Sequence, residues 1–459
     1  MTTTKNNEHN KLNFSSEREQ SQACLNSAEH EKNQGRKVLN VPNKREQNQT
    51  CLDPAEREGL RPKGNVPNLR FPEFQGEWEE HYLSDYLDFK NGLNPKPDKF
   101  GRGIKFISVM DILNNTVITN DCIRVSVDVS EEELHNFCVE NGDMLFQRSS
   151  ETLEDVGRAN VYMDDKPAVF GGFVIRGKKK AEYNPLFFRY LLASPFARRK
   201  IIPMGAGAQH FNIGQEGLNR VKLHFASLDE QKKIATFLSL LDERIATQNK
   251  IIDKLQSLIK GINQRVFMNN GINYKLGEIC EIRSGYSGNQ LLSKKGLKVS
   301  RIETISGHKV NIERVGYVAP FESSDNYRLR VGDILFSNIN SVEYIGNTAF
   351  IDKDYDLYHG MNLLRLIPNN MVVIPFYLYL VLNTNRMLNR FKTVCNKAVS
   401  QASINQTELG KTVVQIPDIN AQKQICELYQ ALYDKLESEK YANSLFQKQK
   451  QYLLRQMFI

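Results

Sequence analysis

The sequence lacks most of the devices by which a chain of its size does chemistry. Its seven cysteines (24, 51, 122, 138, 280, 395 and 426) are odd in number and form no C-x-x-C pair, which argues against a disulfide framework and against a zinc site. None of the eight histidines has a partner at i, i+4, and no carboxylate pair precedes a Glu-x-Lys in a nuclease-like pattern. Catalysis, a metal and a cofactor are therefore not expected. The longest apolar run, Met371 to Leu382, is broken by Pro375 and is too short to cross a bilayer. The start, Met1-Thr-Thr-Thr-Lys-Asn-Asn7, has no apolar h-region, so a cytoplasmic location without membrane attachment is expected. Aromatic residues are almost missing from residues 1–64, which hold Phe14 and 14 apolar residues in all. Such a segment cannot bury enough surface to offset its ordering entropy and is expected to be disordered or weakly structured.

What is present suits two or three ordinary domains: 459 residues, 40% hydrophobic and 25% charged, with 61 basic against 53 acidic side chains for a formal charge of +8. Ordered structure is expected from Val66-Pro-Asn-Leu-Arg-Phe-Pro-Glu-Phe74 and Trp78, where aromatic residues first cluster.

Comparing the chain with itself at a shift of about 190 residues shows one module present twice. Leu83-Ser-Asp-Tyr86 returns as Leu276-Gly-Glu-Ile279, and Asn91-Gly92 as Ser284-Gly285. Ile104–Ile112 matches Leu297–Ile305 in apolar pattern, and both are expected to be buried strands. Gly142-Asp-Met-Leu-Phe146 matches Gly332-Asp-Ile-Leu-Phe336, Gly157 matches Gly346, and Gly171 with Ile175-Arg176 matches Gly360 with Leu364-Arg365. Pro185-Leu-Phe-Phe188 matches Pro375-Phe-Tyr-Leu378, and Gln231-Lys-Lys-Ile234 matches Gln422-Lys-Gln-Ile425.

Each copy ends in a long segment without proline. Ile234, Phe237, Leu241, Ile245, Gln248, Ile252, Leu255, Ile259, Ile262 and Val266 follow steps of three or four, as a coiled-coil seam does. Moved by 191, the positions become Ile425, Leu428, Leu432, Leu436, Glu439, Asn443, Phe446, Lys450, Leu453 and Met457, with the same 3-4-4 stutter expected in both helices. Only Asn269-Asn-Gly-Ile-Asn273 separates the first helix from the second module. Two seams sharing an end in that sense must pair antiparallel, placing the modules at opposite ends of a rod.

Two short motifs are decoys. Gly172-Phe-Val-Ile-Arg-Gly-Lys-Lys179 fits a phosphate loop except for its last residue, but its interior is apolar and strand-like. Asn184-Pro-Leu-Phe187 is similar to the N-P-P-Y/F element of amino-methyltransferases, but it lacks the second proline, and no cofactor loop precedes it. A helix N-terminus accounts for Asn184-Pro185 better. The basic run Arg198-Arg-Lys200 ordinarily marks a solvated helix end, but the matching stretch is basic too (Arg386, Arg390, Lys392), which favours phosphate contact.

Tandem modules with a Gly-Asp-Met/Ile-Leu-Phe element, each closing on a helix that opens Leu228-Asp-Glu-Gln-Lys-Lys-Ile234 or Ile419-Asn-Ala-Gln-Lys-Gln-Ile425, resemble the DNA specificity subunit of type I restriction-modification systems. The segment from Val66 to Trp78 looks like the start of its Gram-positive members. The resemblance covers about residues 66–459. It implies an α+β fold: two tandem mixed α/β target recognition domains separated by two long antiparallel coiled-coil helices, a pseudo-twofold dumbbell. The expected division is a polar extension (1–64), a first recognition domain (66–226), a first long helix (227–268), a second recognition domain (272–417) and a second long helix (418–459). The resemblance further implies double-stranded DNA as ligand, and two copies of a modification (methyltransferase) subunit and a restriction (translocase-nuclease) subunit as partners, with no catalysis by this chain.

A recognition domain needs amide and guanidinium groups on loops, because arginine reads guanine and asparagine or glutamine reads adenine in the major groove by paired hydrogen bonds. Such residues occur where the repeats diverge. One pair of segments is Gln147-Arg148-Ser149-Ser150 and Ser337-Asn338-Ile339-Asn340; the other is Gly207-Ala-Gln209-His210-Phe211-Asn212 and Ala398-Val-Ser400-Gln401-Ala-Ser403. Base or phosphate contacts are accordingly expected from Arg148, Ser149, Gln209, His210, Asn338, Asn340 and Gln401, with Lys90, Arg198, Arg199, Lys200, Arg283, Arg301 and Lys397 adding sequence-independent affinity. Two other readings fit less well. A coiled-coil scaffold with protein-binding ends leaves the matching basic loops unexplained, and a fused methyltransferase would need a cofactor loop.

Overall fold

Leu87-Asp-Phe-Lys-Asn91 alternates apolar with polar residues, and its leucine and phenylalanine are the buried ones. In the computed structural model, which describes residues 64–267, 271–397 and 401–459, this strand (β1, Leu87–Asn91) opens an antiparallel sheet. Its other members are β2 (Met144–Gln147), β3 (Ala159–Val161) and β4 (Val174–Lys179), in the order β1-β4-β2-β3. Helices α1 (Pro185–Ala193), α2 (Pro195–Ile201) and the 39-residue α3 (Leu228–Val266) follow. The second copy repeats the plan with β5 (Cys280–Ser284), β6 (Ile334–Ser337), β7 (Thr348–Phe350) and β8 (Leu363–Pro368), again in the order β5-β8-β6-β7. Helices α4 (Pro375–Leu382), α5 (Asn385–Val394) and the 38-residue α6 (Ile419–Gln456) complete it. The expected disorder of the extension concerns residues that, up to 63, lie outside those described.

In each module the first and last strands pair: Glu79–Tyr82 with Lys222–Phe225, and Ile272–Lys275 with Val413–Ile416. The chain thus enters and leaves each module beside the rod.

The rod is antiparallel. As the partner on α3 advances from Asp242 to Asn249 to Asn263, the partner on α6 retreats from Lys450 to Asn443 to Tyr429. Its seam corrects one expectation. Phe237 and Leu428 are 39% and 43% exposed, while Leu238 and Tyr429 are fully buried. With those two in place the steps alternate 4-3 along both helices, so the rod keeps an unbroken heptad and has no stutter. Phe237 instead meets Phe71 edge-on at 5.8 Å.

Each rod helix finishes inside the module that the other one starts from. Leu453, Met457 and Phe458 pack with Trp78 and Phe187 in the first core. Phe267 packs between Tyr377 and Tyr429 in the second, at 5.6 and 5.9 Å. The modules therefore sit at opposite ends of the rod.

A buried glutamine ties rod to module in both copies. Gln231 Oε1 accepts the Asn184 N–H at 2.9 Å while its Nε2 donates to the Ala226 carbonyl at 2.9 Å. Gln422 accepts from the Ile374 N–H at 2.8 Å and donates to Val372 and Pro417. The repeated Gln-Lys-x-Ile motif is thereby explained: its first residue joins the start of the rod to the start of the aromatic helix. Asn184 is indeed a cap, its Oδ1 accepting the Phe187 N–H at 3.0 Å, and Val174–Lys179 of the supposed phosphate loop is the sheet strand β4.

The expected strands over Ile104–Ile112 and Leu297–Ile305 are only half strand. Extended structure covers Phe100–Ile107 and Leu297–Val299, and then each chain turns helical, over Val109–Asn114 and Ile302–Ile305. The cause is local. Asp111 accepts from both the backbone and the hydroxyl of Ser108, and Thr304 Oγ1 accepts the Arg301 N–H, so each helical turn is capped at its start.

Candidate nucleic-acid interface

The Gly-Asp-x-Leu-Phe element builds the approach to the site. Gly142 and Gly332 adopt φ of 92° and 97°, a conformation that favours glycine, and the aspartates behind them close the turn. Asp143 accepts from the Glu140 and Lys179 N–H groups, both at 3.0 Å. Asp333 accepts from the Arg330 N–H and pairs with Arg365 at 2.6 Å, the two side chains 4% and 5% exposed. Burial raises both aspartates above the ordinary carboxylate value, and the neighbouring arginines oppose that shift. These turns aim β2 and β6 across the core, so the residues that follow them emerge at one end of the sheet.

There the two divergent segments of each copy, far apart in sequence, form a single antiparallel ladder. Ser149 and Ser150 pair with Asn212 and Phe211, and Ile339 and Asn340 with Ser403 and Ala402. The Ile213 N–H donates to the Arg148 carbonyl and the Ile404 N–H to the Asn338 carbonyl, both at 2.9 Å, at matching positions. In the second module Asn396–Lys397 adds a third strand. Residues 398–400 of the second loop lie outside those described.

Within this frame the expected residues divide by their partners. Arg148 directs one guanidinium nitrogen to the Gly172 carbonyl at 3.2 Å, and Ser149 donates its hydroxyl to Asn212 Oδ1. Gln209, His210, Lys397 and Gln401 are exposed on or beside the ladders. Asn338 is half-buried, with its side-chain oxygen buried and unpaired. Asn340 is held on both sides, donating to Ser337 Oγ at 3.0 Å and accepting the Ser341 N–H at 2.8 Å, so its amide shapes the turn.

The cations divide similarly. Arg199 and Lys200 are exposed and line a cleft of about 240 Å³ with Lys222 and His224, beside Ile459 just past the end of α6. Arg198 is turned inward instead: its guanidinium donates to the Glu154 and Val156 carbonyls at 2.9 and 2.6 Å. Burial, with Arg158 nearby, lowers it to about 10. It holds a loop, and the helix-end pattern could not separate it from its neighbours. Lys90 donates to the Asn136 carbonyl at 2.8 Å and lies over the Phe137 ring. Arg283 and Arg301 are paired with Glu281 and Glu303 at 2.6 and 3.5 Å.

Sequence reasoning missed the loop after each edge strand. Because Asn91 is level with Phe146 across β4, and Ser284 with Phe336 across β8, residues 91–103 and 284–296 leave the sheet at the ladder end. They carry Lys96 and, in the second copy, Lys294 and Lys295, while Lys99 and Arg102 pair with Asp128 at 3.8 and 3.2 Å. Their basic, glycine-bounded composition was the available signal.

The type I restriction modification DNA specificity domain matches this chain twice, over residues 75–257 and 271–444. The chain belongs to that family. It is 24% identical over 409 residues to the type I restriction enzyme EcoKI specificity subunit of Escherichia coli, covering 82% of each chain. A shorter stretch of 158 residues is 44% identical to a protein of Methanocaldococcus jannaschii named for the type I restriction enzyme MjaX specificity subunit; it spans 34% of this chain and 37% of that relative. The fold is similar to that of the crystallised type I system S subunit of M. genitalium, with a TM-score of 0.53 at 16% identity, over 86% of this chain and 99% of the other. The double match falls on the two modules found by self-comparison, and each match runs on into a rod helix.

Proposed function

We propose that this chain is the DNA-reading subunit of a type I restriction-modification complex, with each module reading one half of a bipartite duplex site and the rod fixing the spacer between the halves. One observation carries this reading: equivalent ladders of different side-chain chemistry occur on two modules held at opposite ends of one antiparallel rod. Helix α3, with 39 residues, is about 58 Å long at 1.5 Å per residue, while successive major grooves on one face of B-DNA lie about 34 Å apart. The rod is long enough to set two modules over separate grooves.

Residues 66–226 and 272–417 act as the recognition domains, with 227–268 and 418–459 as the ruler. Arg148, Ser149, Gln209 and His210 serve the first half-site, Asn338 and Gln401 the second. Arg199, Lys200 and Lys397 supply phosphate contacts. Two modification subunits bring methyl transfer and a restriction subunit brings translocation and cleavage, all in the cytoplasm. This chain contributes recognition, and no reacting group.

The test is to map methylated bases in the host genome and to measure how the reconstituted complex binds the mapped site at several salt concentrations. Two short defined halves around a non-specific spacer, with affinity falling steeply in salt, support the reading. A continuous site, or association indifferent to DNA and salt, would make the chain a scaffold.

A further inference from the structure

A large apolar side chain stands uncovered at the reading end of the first module. Phe173 is 67% exposed. It lies on the turn Gly171–Val174 that leads into β4, closed by the Val174 N–H donating to the Gly171 carbonyl at 2.8 Å. The backbone beneath the ring is held from several directions. The Arg148 N–H donates to the Phe173 carbonyl at 2.9 Å and Arg148 Nη1 to the Gly172 carbonyl at 3.2 Å, while the Leu93 N–H holds the Phe170 carbonyl at 3.0 Å. A Cβ on Gly172 would meet Asn94 Oδ1 at 2.0 Å, and one on Gly171 would meet the Phe106 ring at 2.6 Å. The ring is therefore displayed on a fixed support, so ordering it on binding carries little entropy cost.

The surroundings identify what the ring meets. It is next to Arg148, one residue from the Ser149–Asn212 ladder, and its turn abuts Asn94 on the loop that carries Lys96. An aromatic group set among hydrogen-bonding and cationic side chains suits the major groove, which admits a two-stranded ribbon and offers one apolar feature, the C5 methyl of thymine. The duplicated turn is chemically different. Gly360–Leu363 carries Met361, 40% exposed, and Asn362, exposed and held at φ 65°. An asparagine suits adenine. We infer that this turn is a third reading element in each module, and that Phe173 makes an apolar contact with a thymine methyl in the first half-site. The inference rests on the DNA-reading function proposed above.

The test uses the full reconstituted complex and duplexes in which each thymine of the first half-site, on either strand, is replaced singly by deoxyuridine, which removes only the methyl. One replacement should weaken wild-type binding about fourfold, roughly 0.8 kcal/mol for a buried methyl-sized group at 1.4 kcal/mol per factor of ten. The same replacement should leave Phe173→Ala unchanged, and Phe173→Leu, still apolar, should keep most of the penalty. Replacements in the second half-site should give the same penalty in all three proteins. The inference is overturned if the first half-site contains no A·T pair, if no uracil there weakens the wild type, or if the penalty persists in Phe173→Ala. Failure to find any bipartite site would instead overturn the function on which the inference rests.

Discussion

Replacing Gln231 with alanine tests the joint between rod and module. Gln231 is 2% exposed and satisfies two buried backbone groups, the Asn184 N–H and the Ala226 carbonyl, each at 2.9 Å. Leaving a buried polar group without a partner costs about 1–3 kcal/mol, so two such groups give about 4 kcal/mol of lost stability. Trp78, the single tryptophan and 2% exposed in the first core, reports on that module by its fluorescence. With a urea slope of about 2 kcal/mol per molar, the Trp78 transition of the full chain should shift to lower urea by about 2 M. Gln231→Glu sets a buried carboxylate against the Ala226 carbonyl oxygen, and a shift at least as large is expected at neutral pH. Gln422→Ala deprives three groups in the second module and should destabilise that end more. A Trp78 midpoint that moves by less than about 0.3 M in Gln231→Ala would show that the joint is not held by this side chain.

The remaining predictions concern DNA. Exchanging residues 75–225 for those of a relative should change one half of the methylated sequence and leave the other half and the spacer intact; mapping methylated bases checks this, and a change in both halves refutes independent modules. Inserting four residues after Lys250, about one turn and 6 Å, should lengthen the spacer or abolish modification without altering either half, and an unchanged spacer would mean that the rod does not measure distance. Arg148→Ala and Asn338→Ala should each cost about 1–3 kcal/mol of binding and relax preference at one position of their own half-site. Lys200→Ala should weaken all sequences alike and flatten the log-log salt slope by about one. Equal weakening of every single-base variant by Arg148→Ala would make Arg148 a phosphate ligand.

The repeat and the antiparallel rod were legible in the sequence because duplication displays the same constraints twice; the divergent segments were located but read as loops, and their pairing into ladders was not. Helix phase was less legible. Phe237 and Leu238 are both apolar, and only the choice of the second keeps a continuous heptad, so a local step of three misled where the long period would have decided. Ser108 and Arg301 were missed as starts of helical turns because apolar continuity from Ile104 and Leu297 outweighed a capping box four residues long. Basic side chains were the least legible: Arg198 and Lys200 lie in one run, yet one is folded onto carbonyls while the other faces water. That distinction depends on where residues 154–156 fall in space.

The divergence of the two copies also explains why α3 pairs with α6 and not with another α3. The pseudo-twofold axis passes near the middle of the rod, where Gln248 bonds Glu439, its own counterpart in the repeat, and Asn249 bonds Asn443. Polar seam residues there fix register at some cost in stability. Away from the centre each end carries a polar pair that the other lacks: Tyr429 with Asn263 at one, Asp242 with Lys450 at the other. Asp242, 9% exposed, is held by Lys450, by the Tyr190 hydroxyl at 2.8 Å and by Arg189 at 3.5 Å. Under the repeat, Lys450 corresponds to Ile259 and Asp242 to Tyr433. An α3–α3 pairing in the same register would set Asp242 against Ile259, and an α6–α6 pairing would set Lys450 against Tyr433. Either pairing would lose the Asp242–Lys450 ion pair, leaving Asp242 with Arg189 at 3.5 Å as its cation and Lys450 opposite a tyrosine. The ion pair therefore selects the heterotypic rod, and with it a molecule whose two ends carry different ladders.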